Sequence, residues 1–289
     1  MSTATLPAPT AAAHPEPAAP GLAAPALALT RRELVRFFRQ RSRVTGALVQ
    51  PLIFWVLFGT GLRDSFRMPG LEAQAAAGLN YQAYFVPGVA AMIVLFTAIF
   101  ATISLIEDRD AGFLQGVLAS PASRLSVVLG KIGGGAVIAI LQTALFLVLA
   151  PLSQAAGLMA DLGLLFTPGR VLGLLGFVSL LSIALTALGY CIAWPSRSTQ
   201  GYHAIMSVFL FPMWLLSGAF FPAAGAGWLK WIILANPLTY GVAGLRRLLF
   251  PSEVLGPDLP GMGACVAVTA VFAAVCLSLG VWMTRRPRD

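Results

Sequence analysis

Charge is absent from two long stretches of this chain. None occurs from Ala73 to Ile106, and after Lys131 none recurs until Asp161. An ordinary soluble domain carries about 25% charged residues; here the figure is 10% in 289 residues, against 58% hydrophobic. A lipid bilayer is the solvent that makes this composition sensible, since roughly 20 apolar residues cross its hydrocarbon core. Six spans are predicted, over about Val44–Leu62, Ala83–Ile106, Ser126–Pro151, Val171–Trp194, Gly201–Phe221 and Met262–Thr284. The fold class is therefore all-α integral membrane with six transmembrane helices. Pro51, Pro87 and Pro212 fall inside these runs, where neighbouring helices can satisfy the freed carbonyls.

The flanks differ from the spans. The first 29 residues hold six prolines among alanines and no Lys or Arg. They lack the basic start and apolar core of a secretory signal, so residues 1–26 read as a disordered Ala/Pro-rich cytoplasmic tail. Over 27–43, Leu34, Phe37 and Phe38 recur at helical spacing while Arg32, Arg36, Arg39 and Arg43 take other positions. Thr30 with Glu33 three residues on reads as a capping box. This is the pattern of an interfacial amphipathic helix with its arginines toward lipid headgroups. With the N-terminus inside, 13 basic residues fall in inner segments and 6 in outer ones. That bias puts both termini, including the basic tail 285–289, in the cytoplasm.

The net charge of +8 follows from this flanking, and the arginines are not interleaved with aromatics for base stacking, so no nucleic-acid partner is expected. Cys191, Cys265 and Cys276 lie in apolar runs without metal spacing and read as small buried hydrophobes. No catalytic, cofactor or metal residue is expected. The span cores hold no Asp or Glu, and Lys131 and Arg170 near span ends can snorkel to the interface. An ion-coupled secondary transporter, the alternative class, usually needs buried carboxylates or His relays. Gly130-Lys131 is not a phosphate loop, because Leu125 and Ile132 stand where Gly and Ser or Thr are required. A membrane enzyme lacks ligands: His203 with Ser207 on one helix face is not enough. Gly130-x-x-x-Gly134 and Gly169-x-x-x-Gly173 permit close helix approach.

Three stretches carry a resemblance. Tyr84-Phe85-Val86-Pro87-Gly88 opens the second span. Between the second and third spans lie Glu107-Asp108-Arg109-Asp110, Gly112-Phe113-Leu114-Gln115, Leu118-Ala119-Ser120-Pro121, Arg124 and Leu129-Gly130-Lys131. Late in the chain come Leu216-Ser217-Gly218-Ala219-Phe220-Phe221-Pro222, Trp228-Leu229-Lys230-Trp231 and Asn236-Pro237-Leu238-Thr239-Tyr240. Together these resemble the ABC-2 type transporter permeases, membrane subunits of bacterial ABC exporters, over nearly the whole chain after the tail. Phe113 departs from the family, where many members have Thr.

The resemblance implies a type V exporter-like permease domain over 44–284, with a cytoplasmic coupling helix in 107–124 and an outer re-entrant hairpin in 222–240. It also implies two copies of an ABC ATP-binding subunit, which carry the ATP and Mg, a second permease chain in a homo- or heterodimer, and residence in the bacterial inner membrane. The coupling residues would be Glu107, Asp108, Arg109, Asp110, Gly112, Phe113, Leu114, Val117, Leu118, Pro121 and Arg124. The hairpin residues would be Phe220, Phe221, Pro222, Trp228, Trp231, Asn236, Pro237 and Tyr240. The residues themselves predict a short helix after Asp110, acidic at its start, as suits the helix dipole. Its stripe of Phe113, Leu114, Val117 and Leu118 could enter a partner's groove, with Glu107, Asp108 and Asp110 pairing at the groove rim; a tight loop with no partner is the alternative. Trp228 and Trp231 suit a membrane interface. The apolar spans lean toward a hydrophobic or amphipathic cargo such as a drug, a lipid or a lipid-linked saccharide.

Overall fold

The computed structural model describes residues 21–61, 80–157, 161–220, 227–256 and 259–286. Most of the expected tail, the loop bearing Arg63 and Arg67, Phe221, Pro222 and the last three residues lie outside these. The described residues are helical, with no strand among them. In chain order the helices are α1 (Ala23–Arg39), α2 (Arg41–Gly61), α3 (Tyr81–Asp110), α4 (Phe113–Ala119), α5 (Arg124–Ala155), α6 (Pro168–Ala193), α7 (Thr199–Ala219), α8 (Leu229–Ala235), α9 (Pro237–Leu249) and α10 (Met262–Arg285). Of these α2, α3, α5, α6, α7 and α10 are long and apolar enough to span a bilayer, and their ends fall within four residues of the predicted ones.

Caps set several starts. Asn80 accepts from the Ala83 amide at 2.8 Å, Ser123 from Ser126 at 3.1 Å and Ser198 from Gly201 at 3.1 Å, each filling a donor the first turn leaves free. Pro168 and Pro237 stand in first turns, where proline's missing N–H costs nothing.

Almost wholly buried, α3 is the axis of the molecule; α2, α5, α6 and α9 pack around it. Its 30 residues give about 45 Å of helix, against a hydrocarbon core of about 30 Å, so the polar turn Glu107–Asp110 projects beyond the apolar layer. The outward faces of α2, α5, α6 and α10 carry exposed aliphatics, including Leu57, Val148, Leu172 and Val271, the surface that a bilayer covers.

In α7 the ladder widens to π turns at Met206–Leu210 and Leu215–Ala219, with Pro212 between them. Gly218, at φ +75°, bends the chain at its end. Asn236 Nδ2 donates to the Met213 and Leu216 carbonyls at 2.6 and 3.1 Å, satisfying groups that the irregular ladder exposes. Trp214, fully buried, donates to the Gly88 carbonyl at 2.8 Å and packs with Phe85 and Phe220.

The amphipathic helix differs from the sequence expectation in three ways. It begins at Ala23, so Ala23–Ala26 belong to it rather than to a disordered tail, and it ends at Arg39. Thr30 is mid-helix rather than a cap, donating to the Gly130 carbonyl at 3.1 Å. Its buried line is Leu29, Glu33 and Phe37, residues four apart on one face, laid along α5. The glycines of α5 permit that seat: a Cβ at Gly130 would stand 2.6 Å from Leu29 Cβ, and one at Gly134 would stand 2.6 Å from Glu33 Cβ. The close approach expected of Gly130-x-x-x-Gly134 thus serves α1.

Candidate functional site

A cluster of six charges lies where α1, α3 and α5 meet, beside α4. Asp108, in the last turn of α3, is 1% exposed. Arg32 grips it in a two-pronged geometry, Nη1 to Oδ2 at 2.8 Å and Nη2 to Oδ1 at 2.7 Å. Arg36, one turn further along α1, donates to Asp108 Oδ1 at 2.5 Å and to Glu107 Oε2 at 2.6 Å. From α5, Lys131 reaches Asp108 as well, with Glu33 Oε1 at 2.7 Å and Ser104 Oγ at 3.3 Å. Arg32 also touches Glu33 at 3.1 Å. Three carboxylates thus meet three cations, and none of the buried charge is uncompensated.

Paired forks of this type are among the stronger hydrogen bonds, although desolvation offsets much of their attraction. Hydrogen bonding to Asp108 raises the Arg32 pKa above its ordinary value; partial burial opposes it, and the Asp108 and Glu33 charges add to the rise.

These contacts correct several expectations. Arg32 and Arg36 face the protein rather than headgroups. Lys131 is buried in an ion network rather than snorkelling. Asp108 and Glu107 are bound within the chain, which removes Asp108 from any partner's groove rim. Arg170 caps α9, donating to the Leu248 and Phe250 carbonyls at 3.3 and 2.7 Å.

The short helix α4 forms where expected, but its surroundings differ. Glu107–Asp110 continue α3, and Gly112, at φ +74°, makes the sharp turn into α4. That left-handed conformation favours glycine. Asp110 is exposed, and no acid stands in the first turn of α4. Three of the four stripe residues turn toward this chain: Leu114 is 3% exposed, and Val117 and Leu118 pack on the same core, while Phe113 stays exposed. Arg32 lies 3.7 Å above the centre of the Phe113 ring, a cation–π contact joining α4 to the cluster. The outward side of α4 presents Gln115, Gly116 and Ala119, followed by Ser120 and Pro121. Arg124 opens α5 half-buried. Arg109 donates to the Ser196 and Trp194 carbonyls, both at 2.7 Å, tying in the end of α6. One junction therefore connects α4 to α1, α3, α5 and α6.

At the opposite end, the described ones among the expected hairpin residues do not form one cluster. Phe220 joins the aromatic group of Trp214, Phe85 and Phe58. Asn236 and Pro237 start α9, and Tyr240 donates to the Leu234 carbonyl at 3.2 Å. Trp228 and Trp231 are 76% and 74% exposed. Sequence reasoning missed Arg246, 8% exposed. It donates to the Tyr84 and Gly218 carbonyls at 3.3 and 3.2 Å and lies 4.0 Å over the Tyr84 ring. It also missed the ion-pairing role of Glu33 and the inward role of Lys131. Two signals were present: Glu33 is in register with Leu29 and Phe37, and a lone lysine in an apolar run needs a counter-charge.

Six apolar helices, a short polar helix at one end and an amphipathic helix clamped beside it define the chain as a multi-pass membrane protein of the transport-permease type. It belongs to the ABC-2 type transporter family, whose model matches residues 26–250. Among its relatives is a probable doxorubicin resistance ABC transporter permease protein, DrrC, of Mycobacterium tuberculosis, 25% identical over 87% of this chain and 86% of the relative. The daunorubicin resistance ABC transporter permease protein DrrB1 of Streptomyces coeruleorubidus is 26% identical over 86% and 83%. A putative transport permease, ycf38, of Cyanophora paradoxa is 26% identical over 78% and 74%. The chain is a membrane subunit of an ABC transporter, as these similarities show.

Proposed function

We propose that this chain forms, with a second permease chain, the translocation path of an exporter for hydrophobic or amphipathic cargo, driven by two ATP-binding subunits that dock at α4. The observation carrying this reading is the charge-clamped junction, which makes α4 continuous with four other helices. ATP and Mg bind on the partner subunits, which push on the outward side of α4: Asp110, Gln115, Gly116, Ala119 and Pro121. Leu114, Val117 and Leu118 hold α4 to the permease, and Arg32, Arg36, Asp108 and Lys131 pass its displacement to α1, α3 and α5, while Arg109 passes it to α6. The drug-resistance names of two relatives support an amphipathic drug-like cargo. The protein sits in the bacterial inner membrane with both termini in the cytoplasm, and α8 with the start of α9 forms the outer hairpin.

Gly116→Trp tests the docking face. A Cβ at Gly116 meets nothing within 4 Å, so the indole leaves the fold intact and obstructs the partner. We expect unchanged yield and monodispersity of the chain, with loss of the copurifying ATPase and of ATP-dependent export. Full ATPase retention and full export would remove α4 as the docking site. Export by this chain alone in liposomes under an ion gradient would show that no ATPase is required.

A further inference from the structure

Of the six spans, α7 alone leaves the α ladder among the described residues, and its last turn, Leu215–Ala219, is bent at Leu216 and Gly218. Single π turns of this kind recur at functional sites, and they leave carbonyls without helical partners. Side chains of other helices take these up. Gly218 O accepts from Tyr84 Oη and from Arg246 Nη2, both at 3.2 Å, and Phe220 O accepts from Tyr81 Oη at 3.3 Å. The seat beneath is close: a Cβ at Gly88 on α3 would stand 2.6 Å from Ala219 Cβ. This end of α7 is therefore shut against α3 by groups that α7 does not own.

Arg246 differs from the other groups holding it. A single nitrogen, Nη2, joins three helices: it extends from α9 and donates to Tyr84 O on α3 at 3.3 Å as well as to Gly218 O on α7. The residue is buried, yet no carboxylate among the described residues forms an ion pair with it, and its Nε is buried without a hydrogen-bond partner. The Tyr84 ring, 4.0 Å from the guanidinium carbon, faces the charge instead. A buried cation without a counter-charge is costly, and N–H···O distances of 3.2 and 3.3 Å lie at the long end of the usual range. Near α4, by contrast, carboxylates match the clustered cations. The end remote from α4 is the one held by bonds that water can readily replace.

We infer that the last turn of α7 is a gate at the end of the path remote from α4, and that Arg246 is the positioning residue that keeps it shut. This rests on the proposed export path. Opening parts Ala219 from Gly88, and Gly218, with no side chain to restrict its φ, absorbs the change. Arg246 and Tyr84 share the Gly218 carbonyl, so both bonds break in one movement. The guanidinium then meets water, whose hydration of the charge offsets the lost bonds, and closing reverses the exchange.

The reaction rate of a thiol at position 217 tests this. Ser217 is buried in the gate, so Ser217→Cys, in a chain whose native cysteines are replaced by Ala, reacts with a hydrophilic maleimide only when the turn opens. Arg246→Lys keeps the charge but substitutes a compact, more strongly hydrated ammonium without the planar fork. In the purified full chain it should speed labelling about tenfold, the effect of losing one such bond on an opening equilibrium. Tyr84→Phe, which removes the other donor to Gly218 O, should do likewise. Arg247→Lys, at the neighbouring residue bound to the Pro260 and Leu259 carbonyls, should leave the rate unchanged. In the complex with the copurifying ATPase, ATP should speed labelling of the chain that retains Arg246 and Tyr84. Unchanged rates in both Arg246→Lys and Tyr84→Phe overturn the inference, as does an equal rise in Arg247→Lys, which would mean general loosening. No response to ATP in a complex that hydrolyses it overturns the gate. The rates in the purified chain need neither ATPase nor cargo, so Arg246 can fail as the closing group while the export reading stands; failure of that reading is seen separately, through Gly116→Trp.

Discussion

Removing the Lys131 ammonium alone would deprive Glu33, buried against α5, of its partner at 2.7 Å. Arg32 would remain near Glu33 at 3.1 Å, but it is already engaged with Asp108. Breaking a buried ion pair from one side costs roughly 3–5 kcal/mol, whereas replacing both partners by uncharged groups of similar volume is often neutral. We therefore expect Lys131→Met to lower the thermal stability of the detergent-purified chain sharply, and the double variant Lys131→Met with Glu33→Gln to recover most of it. Heating followed by size-exclusion chromatography checks both. An unchanged midpoint for Lys131→Met would show that Lys131 is not paired in this way. The buried charges were harder to read from sequence than the spans, for a physical reason. A span declares itself by length and the absence of charge, both local properties. An ion cluster assembled from residues 32, 33, 36, 107, 108 and 131 declares itself only once three helices are brought together.

Two helices show how far a pattern reaches. The stripe Phe113, Leu114, Val117 and Leu118 was legible as a stripe, because its spacing is helical. Which surface it meets was not, since a partner's groove and the chain's own core require the same residues; the structure puts Leu114, Val117 and Leu118 on the core and leaves Phe113 exposed. For α1 the apolar spacing was legible as well, while its start at Ala23 was not, because alanines favour helix but the surrounding prolines suggested otherwise. The seat of α1 on α5 is set by Gly130 and Gly134, where added side chains would strike Leu29 and Glu33 at 2.6 Å. Overpacking of this kind typically costs 1–3 kcal/mol, and 1.4 kcal/mol is a tenfold change in an equilibrium. We expect Gly134→Leu to loosen α1 so that trypsin cuts at its arginines about tenfold faster. Gly176→Leu, on α6 with nothing within 4 Å of its added carbon, should leave the rate unchanged. Equal cleavage in the two variants would mean that α1 does not depend on this seat. Faster cleavage in Gly134→Leu, accompanied by weakened export with the ATPase still bound, would separate transmission through α1 from docking at α4.

At the scale of the whole molecule, alternating helices gather the basic residues at one end. Arg109 closes α3, Arg124 opens α5, Arg197 lies between α6 and α7, and Arg285 closes α10. The hydrogen bond between Tyr190 on α6 and Thr284 on α10, at 2.8 Å, brings the ends of those two helices together on the side where Arg109 meets the end of α6. At the same end Arg32, Arg36 and Lys131 are neutralised by Glu33, Glu107 and Asp108, which on a net-charge view would weaken any orientation bias. Orientation follows the count of Lys and Arg near the spans, with Asp and Glu contributing little, so the pairing inside the cluster leaves the proposed cytoplasmic placement of this end with its support. Ser198, just before α7, and Ser252, just after α9, are both exposed and lie at opposite ends of the helical body. In a background with Cys191, Cys265 and Cys276 replaced by Ala, we expect Ser252→Cys to react with an impermeant thiol reagent applied to intact cells. Ser198→Cys should react only after the membrane is permeabilised. The reverse pattern would place α4 on the outer side, where no ATP-driven subunit can reach it, and the proposed coupling through Asp108 and Lys131 would fall with it.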